Sequence, residues 1–137
     1  MESVPLVTRE IAEKEVQAWL DHKGLRPRKR KELEDNIEEL VQCVMWGDLV
    51  INSDTFDITQ KLATPAGSDG KIKELVWMPK ITVGGLNKYL TGVKSGDVDA
   101  RLIAYSAALT KNNTGIIKLL DTGDNAICGT IVIFFIS

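Results

Sequence analysis

Between positions 33 and 44 the apolar residues Leu33, Ile37, Leu40, Val41 and Val44 recur at the three- and four-residue spacing of one helical face. Such a stripe has to be covered, because each large apolar side chain left in water forfeits about 1.5–3 kcal/mol. It therefore demands a partner, and the residues upstream supply one: Ala12, Val16, Trp19 and Leu20 form a second stripe. Thr8 is placed to cap that first helix, Glu10 suits its positive end, and Gly24 can close it. Pro27 fits the first turn of the second helix and Gly47 stops it. The short link between them predicts an antiparallel helical hairpin over residues 1–46.

The pattern then changes period. Leu49 to Ile51 is short and β-branched, Asn52-Ser53-Asp54 is turn-forming, and Phe56, Ile58 and Leu62 alternate with polar residues. This predicts a β-hairpin. "ATPAGSDGK" reads as a loop, and "IKELVWMPKI" as a third strand. A sheet of about three strands is stable only with one face laid on helices. From Thr82 onward helical signals return. "TVGGLNKYLTGV" is a short helix weakened by Gly84 and Gly85. "SGDVDARLIAYSAALT" is stronger, with Ser95 or Asp97 as cap and Val98, Leu102, Tyr105 and Leu109 on one face. "NTGIIKLL" is a short helix or turn. The β-branched tail "AICGTIVIFFIS" favours strand on propensity, but Asp121 and Thr122 provide a helix start just upstream, so it reads as helix. The expected class is α+β in one domain: a helical hairpin (1–46), a β-hairpin plus strand (47–81), and a part with three to four helices (82–137).

Charge and reactive residues narrow the function. A net charge of -2 and a pI near 5.4 argue against a general nucleic-acid coat, which needs a positive excess. Cys43 and Cys128 are far apart, no C-x-x-C spacing occurs, and His22 is the only histidine. A zinc site needs about four N or S ligands, so no metal is expected, and both cysteines read as buried free thiols. The glycines and lysines of "TVGGLNKYL" and "SDGK" lack the spacing that cradles phosphates, so no cofactor is expected either. "MESVPLVTRE" lacks the basic-then-apolar order of a signal peptide, and "IVIFFI" is far short of the roughly 20 residues that span a bilayer. The cytoplasm is the expected compartment.

One stretch hints at chemistry. "KLLDTGDNAI" places Asp-Thr-Gly after two apolar residues, as aspartic proteases do. Those enzymes need two carboxylates sharing a proton, with a flap and crossing strands built after the motif. Only fourteen residues follow Gly123, and Asp124 stands where a small residue is required. The better expectation is that Asp121 accepts hydrogen bonds from the free N–H groups of the following helix. No catalytic residue is assigned.

Surface features point instead to partners. Arg26, Arg28, Lys29, Arg30 and Lys31 make a basic run at a helix start, where the dipole disfavours it. Spacing pairs Arg28 with Glu32, Arg30 with Glu34 and Lys31 with Asp35, which would neutralise the run locally. No aromatic is interleaved for base stacking, so nucleic acid is disfavoured; an acidic protein surface fits better, and a plain solvated helix face fits best. Among the tryptophans, Trp46 at a helix end and Trp77 in a strand are the candidate interface anchors, joined by Tyr89 and Tyr105.

The C-terminal stretch "VGGLNKYLTGVKSGDVDARLIAYSAALTKNNTGIIKLLDTGDNAICGTIVIFF" carries Ala107 to Thr110, then Ile117, Leu120, Asp121 and Asp124, and finally Ile131 to Phe135. Over roughly the last 55 residues this resembles the small tail assembly chaperones of long-tailed bacteriophages, in which an Ala-x-x-Thr helix is followed by Ile-x-x-Leu-Asp-x-x-Asp and an apolar helix ending in aromatics. The resemblance implies a non-enzymatic protein of the host cytoplasm, absent from the mature virion. It implies binding to the tape-measure protein, shielding of that protein's apolar helices, and recruitment of tail tube subunits. The family has no catalytic residues to carry over. The competing expectations are a structural tail or head-tail connector subunit and, behind it, a nucleic-acid-binding regulator. Self-association is open on these residues.

Overall fold

The computed structural model describes residues 4–136; positions 1–3 of the first section and 137 of the last lie outside the described residues. The order is α1 (Arg9–Lys23), α2 (Pro27–Glu32), α3 (Glu34–Met45), β1 (Leu49–Ile51), β2 (Ile58–Ala66), β3 (Ile72–Trp77), α4 (Val83–Leu90), α5 (Val98–Thr110), α6 (Thr114–Lys118) and α7 (Thr122–Ile136). The class is α+β, as the periodicity predicts.

Local chemistry sets the first helix. The Thr8 side chain accepts from the Ile11 N–H, and Gly24 closes the helix in the left-handed region, where its N–H reaches the Leu20 and Asp21 carbonyls. Ala12, Val16, Trp19 and Leu20 are buried, on the face the sequence assigns. The second helix departs from expectation. It breaks at Leu33 (φ -106°, ψ 21°) into α2 and α3, with the Leu33 N–H still held by the Lys29 and Arg30 carbonyls. Leu40, Val41 and Val44 of α3 are buried where α3 packs on α1, α7 and β1, and Arg9 ties α1 to α3 through Glu38, with a second contact at 2.9 Å.

The sheet is antiparallel in the order β1-β2-β3. Val50 pairs with Thr59 and Thr59 with Val76, so these three share the outer face. Leu49, Ile51, Ile58, Gln60, Leu75 and Trp77 point inward and are buried. Two sequence expectations need correction. Phe56 is not a strand residue. It sits before β2 with φ 61°, stacked on His22 at 4.3 Å, after an Asn52 side chain that holds the Asp54 and Thr55 N–H groups. The segment expected as a loop from Ala63 stays in β2 as far as Ala66. A register irregularity between Lys61 and Ala66 accommodates Pro65, which has no N–H to give a ladder.

The last section forms one helical layer. Thr82 caps α4 and Asp97 caps α5, each accepting the N–H three residues on. The tail is helix, α7, lying against α3, α5 and β2. Trp19 of α1 meets Phe134 edge-on at 5.7 Å, so one cluster of buried residues draws on all three sections of the chain.

Candidate functional site

A buried polar network joins the start of α7 to the sheet. Asp124 lies in the first turn of α7, where a negative charge is favoured, and is almost wholly buried. Its carboxylate accepts from the Ala63 N–H at 2.9 Å and the Thr64 N–H at 3.1 Å, the two donors that leave the ladder at the irregular part of β2. Its main-chain carbonyl accepts from Gln60 Nε2 at 2.9 Å. Gln60 Oε1 in turn accepts from Trp77 Nε1 at 3.0 Å and lies 3.5 Å from the Cys128 thiol. Asp121 does the work expected of a helix start, accepting from the Gly123 N–H at 3.0 Å on the surface. Asp48 lies near enough to Asp124 that burial, and then the Asp124 charge, hold its carboxyl above the usual range. Both oxygens of Asp124 are already engaged by main-chain donors, so its geometry is that of a staple between helix and sheet.

The thiols are likewise structural in setting. Cys43 and Cys128 are free and buried. Burial pushes Cys43 up to about 12 and Cys128 up to about 11, leaving little thiolate near neutrality. Among the described residues, no group of three or more His, Cys, Asp or Glu is placed to hold a metal ion. No helix in that range is long and apolar enough to cross a membrane.

The candidate anchors separate sharply. Trp46 is 42% exposed at the end of α3, its indole N–H donating to Gln42 Oε1. Leu6, also exposed, packs beside it against Gly47. Trp77 is only 1% exposed and Tyr105 is buried too, so neither offers a surface to a partner. The reason is geometric: Trp77 falls on the inward face of β3 with Leu75, and Tyr105 on the core face of α5 with Leu109. Tyr89 of α4 is half-buried.

The basic run also divides. Arg28 reaches Glu32 at 3.7 Å, as the spacing predicts, and Lys29 reaches the same carboxylate at 3.1 Å. Arg30 does not pair with Glu34. It folds back onto α1, donating to Asp21 at 2.7 Å, Gln17 at 3.0 Å and the Leu25 carbonyl at 2.8 Å. Lys31 makes no ion pair with Asp35 among the described residues, and Arg26 and Lys31 remain exposed. Arg30 is thus a brace across the α1–α2 link, and Arg26, Arg28 and Lys31 are what the surface presents.

The surface that sequence reasoning missed lies between α5 and α7. Val98, Leu102, Gly129, Val132, Ile133 and Ile136 line a groove of about 240 Å3, together with the single charged residue Arg101. Val98, expected on the core face of α5, is 73% exposed here, and Ile136 is 42% exposed. The only available signal was that α7 is apolar on nearly every side, more than one buried face requires. No protein-family model, curated protein or solved structure matches the chain.

Proposed function

We propose that this chain is a phage tail assembly chaperone, a non-enzymatic protein that binds and shields the tape-measure protein and helps recruit tail tube subunits in the host cytoplasm. The observation that carries this reading is that the segment resembling that family folds into α4, α5, α6 and α7, and that an open apolar groove lies between α5 and α7. A long coiled-coil protein awaiting its tube exposes apolar stripes that aggregate, and a groove of this kind covers such stripes helix by helix. Trp46 with Leu6, and the outward cations Arg26, Arg28 and Lys31, offer a second contact region away from the groove.

Co-expression tests this. A long helical tape-measure protein should stay soluble with this chain, and the two should run together on a sizing column. Unchanged solubility and no complex would refute the proposal. Recovery of the chain from purified particles would favour the structural-subunit reading over the chaperone one.

A further inference from the structure

The geometry points to the α5–α7 groove as a seat for an amphipathic helix that carries a carboxylate beside its apolar stripe, with Arg101 reading that carboxylate. This rests on the chaperone reading and narrows the kind of segment the protein covers. Three observations support it. First, the groove is small: its 240 Å3 falls below the roughly 300–1,000 Å3 typical of small-molecule pockets, and its walls are aliphatic. It is sized for side chains of a partner and offers no converging polar groups for a cofactor.

Second, Gly129 has no role in the chain's own packing. It lies mid-helix, where glycine is less favourable than alanine by about 0.8–1.0 kcal/mol. Yet a Cβ built there meets nothing within 4 Å. The missing side chain leaves open space in the lining of the groove, room that an incoming helix can take. Third, Arg101 is the one charged residue lining the groove and forms no ion pair among the described residues. Asp97, one helical turn back on α5, is engaged in capping the Ala100 N–H at 3.0 Å. A cation without a partner among the residues lining an apolar trough complements an acid flanking an apolar stripe.

The test uses the full chain and two stapled helical peptides of about 15–20 residues, long enough to hold a helix. Both carry Leu at i, i+3, i+4 and i+7; one bears Glu beside the stripe and the other Lys. The Glu peptide should bind at least about tenfold more tightly, and Arg101→Glu should reverse that order. Gly129→Leu should weaken the Glu peptide by about tenfold or more, by filling the floor. Gly129→Ala, which should melt higher than the parent, guards against misfolding as the cause. Equal affinity for both peptides, or indifference to Gly129→Leu, would overturn the inference. So would a dimer that Gly129→Leu converts to monomer, since a second copy would then occupy the groove. If Gly129→Leu still keeps a tape-measure protein soluble, the seat is wrong and the chaperone reading stands; if the Glu peptide binds as expected but no tape-measure protein is protected, the reverse holds.

Discussion

Replacing Asp121 and Asp124 in turn separates a cap from a staple. Asp124 accepts two charge-assisted hydrogen bonds from main-chain N–H groups, at 2.9 and 3.1 Å. Bonds of that kind contribute about 1.5–3 kcal/mol each. Ala63 and Thr64 are exposed residues, so water can partly serve their N–H groups once the carboxylate is gone. Asp124→Ala should therefore cost about 3 kcal/mol, near the low end for two such bonds. Asp124→Asn keeps one acceptor oxygen and turns an NH2 toward a donor, so about 2 kcal/mol is expected. Asp121 accepts one bond at an exposed helix start. Asn caps as well as Asp does, so Asp121→Asn should change stability by less than about 0.5 kcal/mol, and Asp121→Ala should cost about 1 kcal/mol. Urea unfolding followed by circular dichroism measures all four, with the slope checked for constancy. If Asp121→Asn destabilises more than Asp124→Asn, or if Asp124→Asn is silent, the reasoning fails.

Three further outcomes follow from single side chains. Lys23 is pushed down to about 8, chiefly by burial and then by Lys80, with its ammonium 3.4 Å over the Phe135 ring. Its ordinary value is 10.5, so the unfolded chain binds more protons between those two values. Lys23 should add stability as pH rises from about 8 to about 10.5, while the buried thiols of Cys43 and Cys128 subtract it above about 9, so the Lys23 part should be read as the difference in urea midpoints between the parent and Lys23→Met across the range. Gly47 turns the chain from α3 into β1 at φ 82°, and a Cβ there would collide with the Leu6 side chain. Gly47→Ala should lower stability by about 1–2 kcal/mol from the left-handed backbone alone, and Leu6→Ala in the same chain should leave that part of the loss in thermal melts. Both thiols should react slowly with Ellman's reagent in the native protein at pH 8 and rapidly in urea; fast native labelling would contradict their burial.

What could be read without coordinates was set by neighbours in the chain. Thr8, Gly24 and Asp97 act within one turn of themselves, so their caps and the helices they bound were legible. The tail's helical form was also legible, because the start signal at Asp121 outweighs the β-branched content of α7. The misreadings lie where distant residues decide. Residues 63–66 stay extended where Asp124, some sixty positions on, holds the Ala63 and Thr64 N–H groups and Ala66 pairs with Ile72. Arg30 abandons Glu34 because α1 brings Asp21 and Gln17 closer. Trp77 and Tyr105 were visible as aromatic residues, but which face each takes depends on strand register and helix packing. The groove was illegible for the same reason, since its two walls lie about thirty residues apart in the chain.

The two walls of the groove are not held alike. Asp124 and Gln60 rivet α7 to β2, so that wall cannot shift without unfastening the sheet. The opposite wall, α5, is fixed to the strands at its far end, where the Met78 N–H meets the Leu109 carbonyl. Its near end, with Val98 and Arg101, has no such fastening to the strands among the described residues. The trough is therefore asymmetric: one side is riveted to the sheet by side-chain hydrogen bonds, and the other is held at its start by packing against neighbouring helices rather than by a strand.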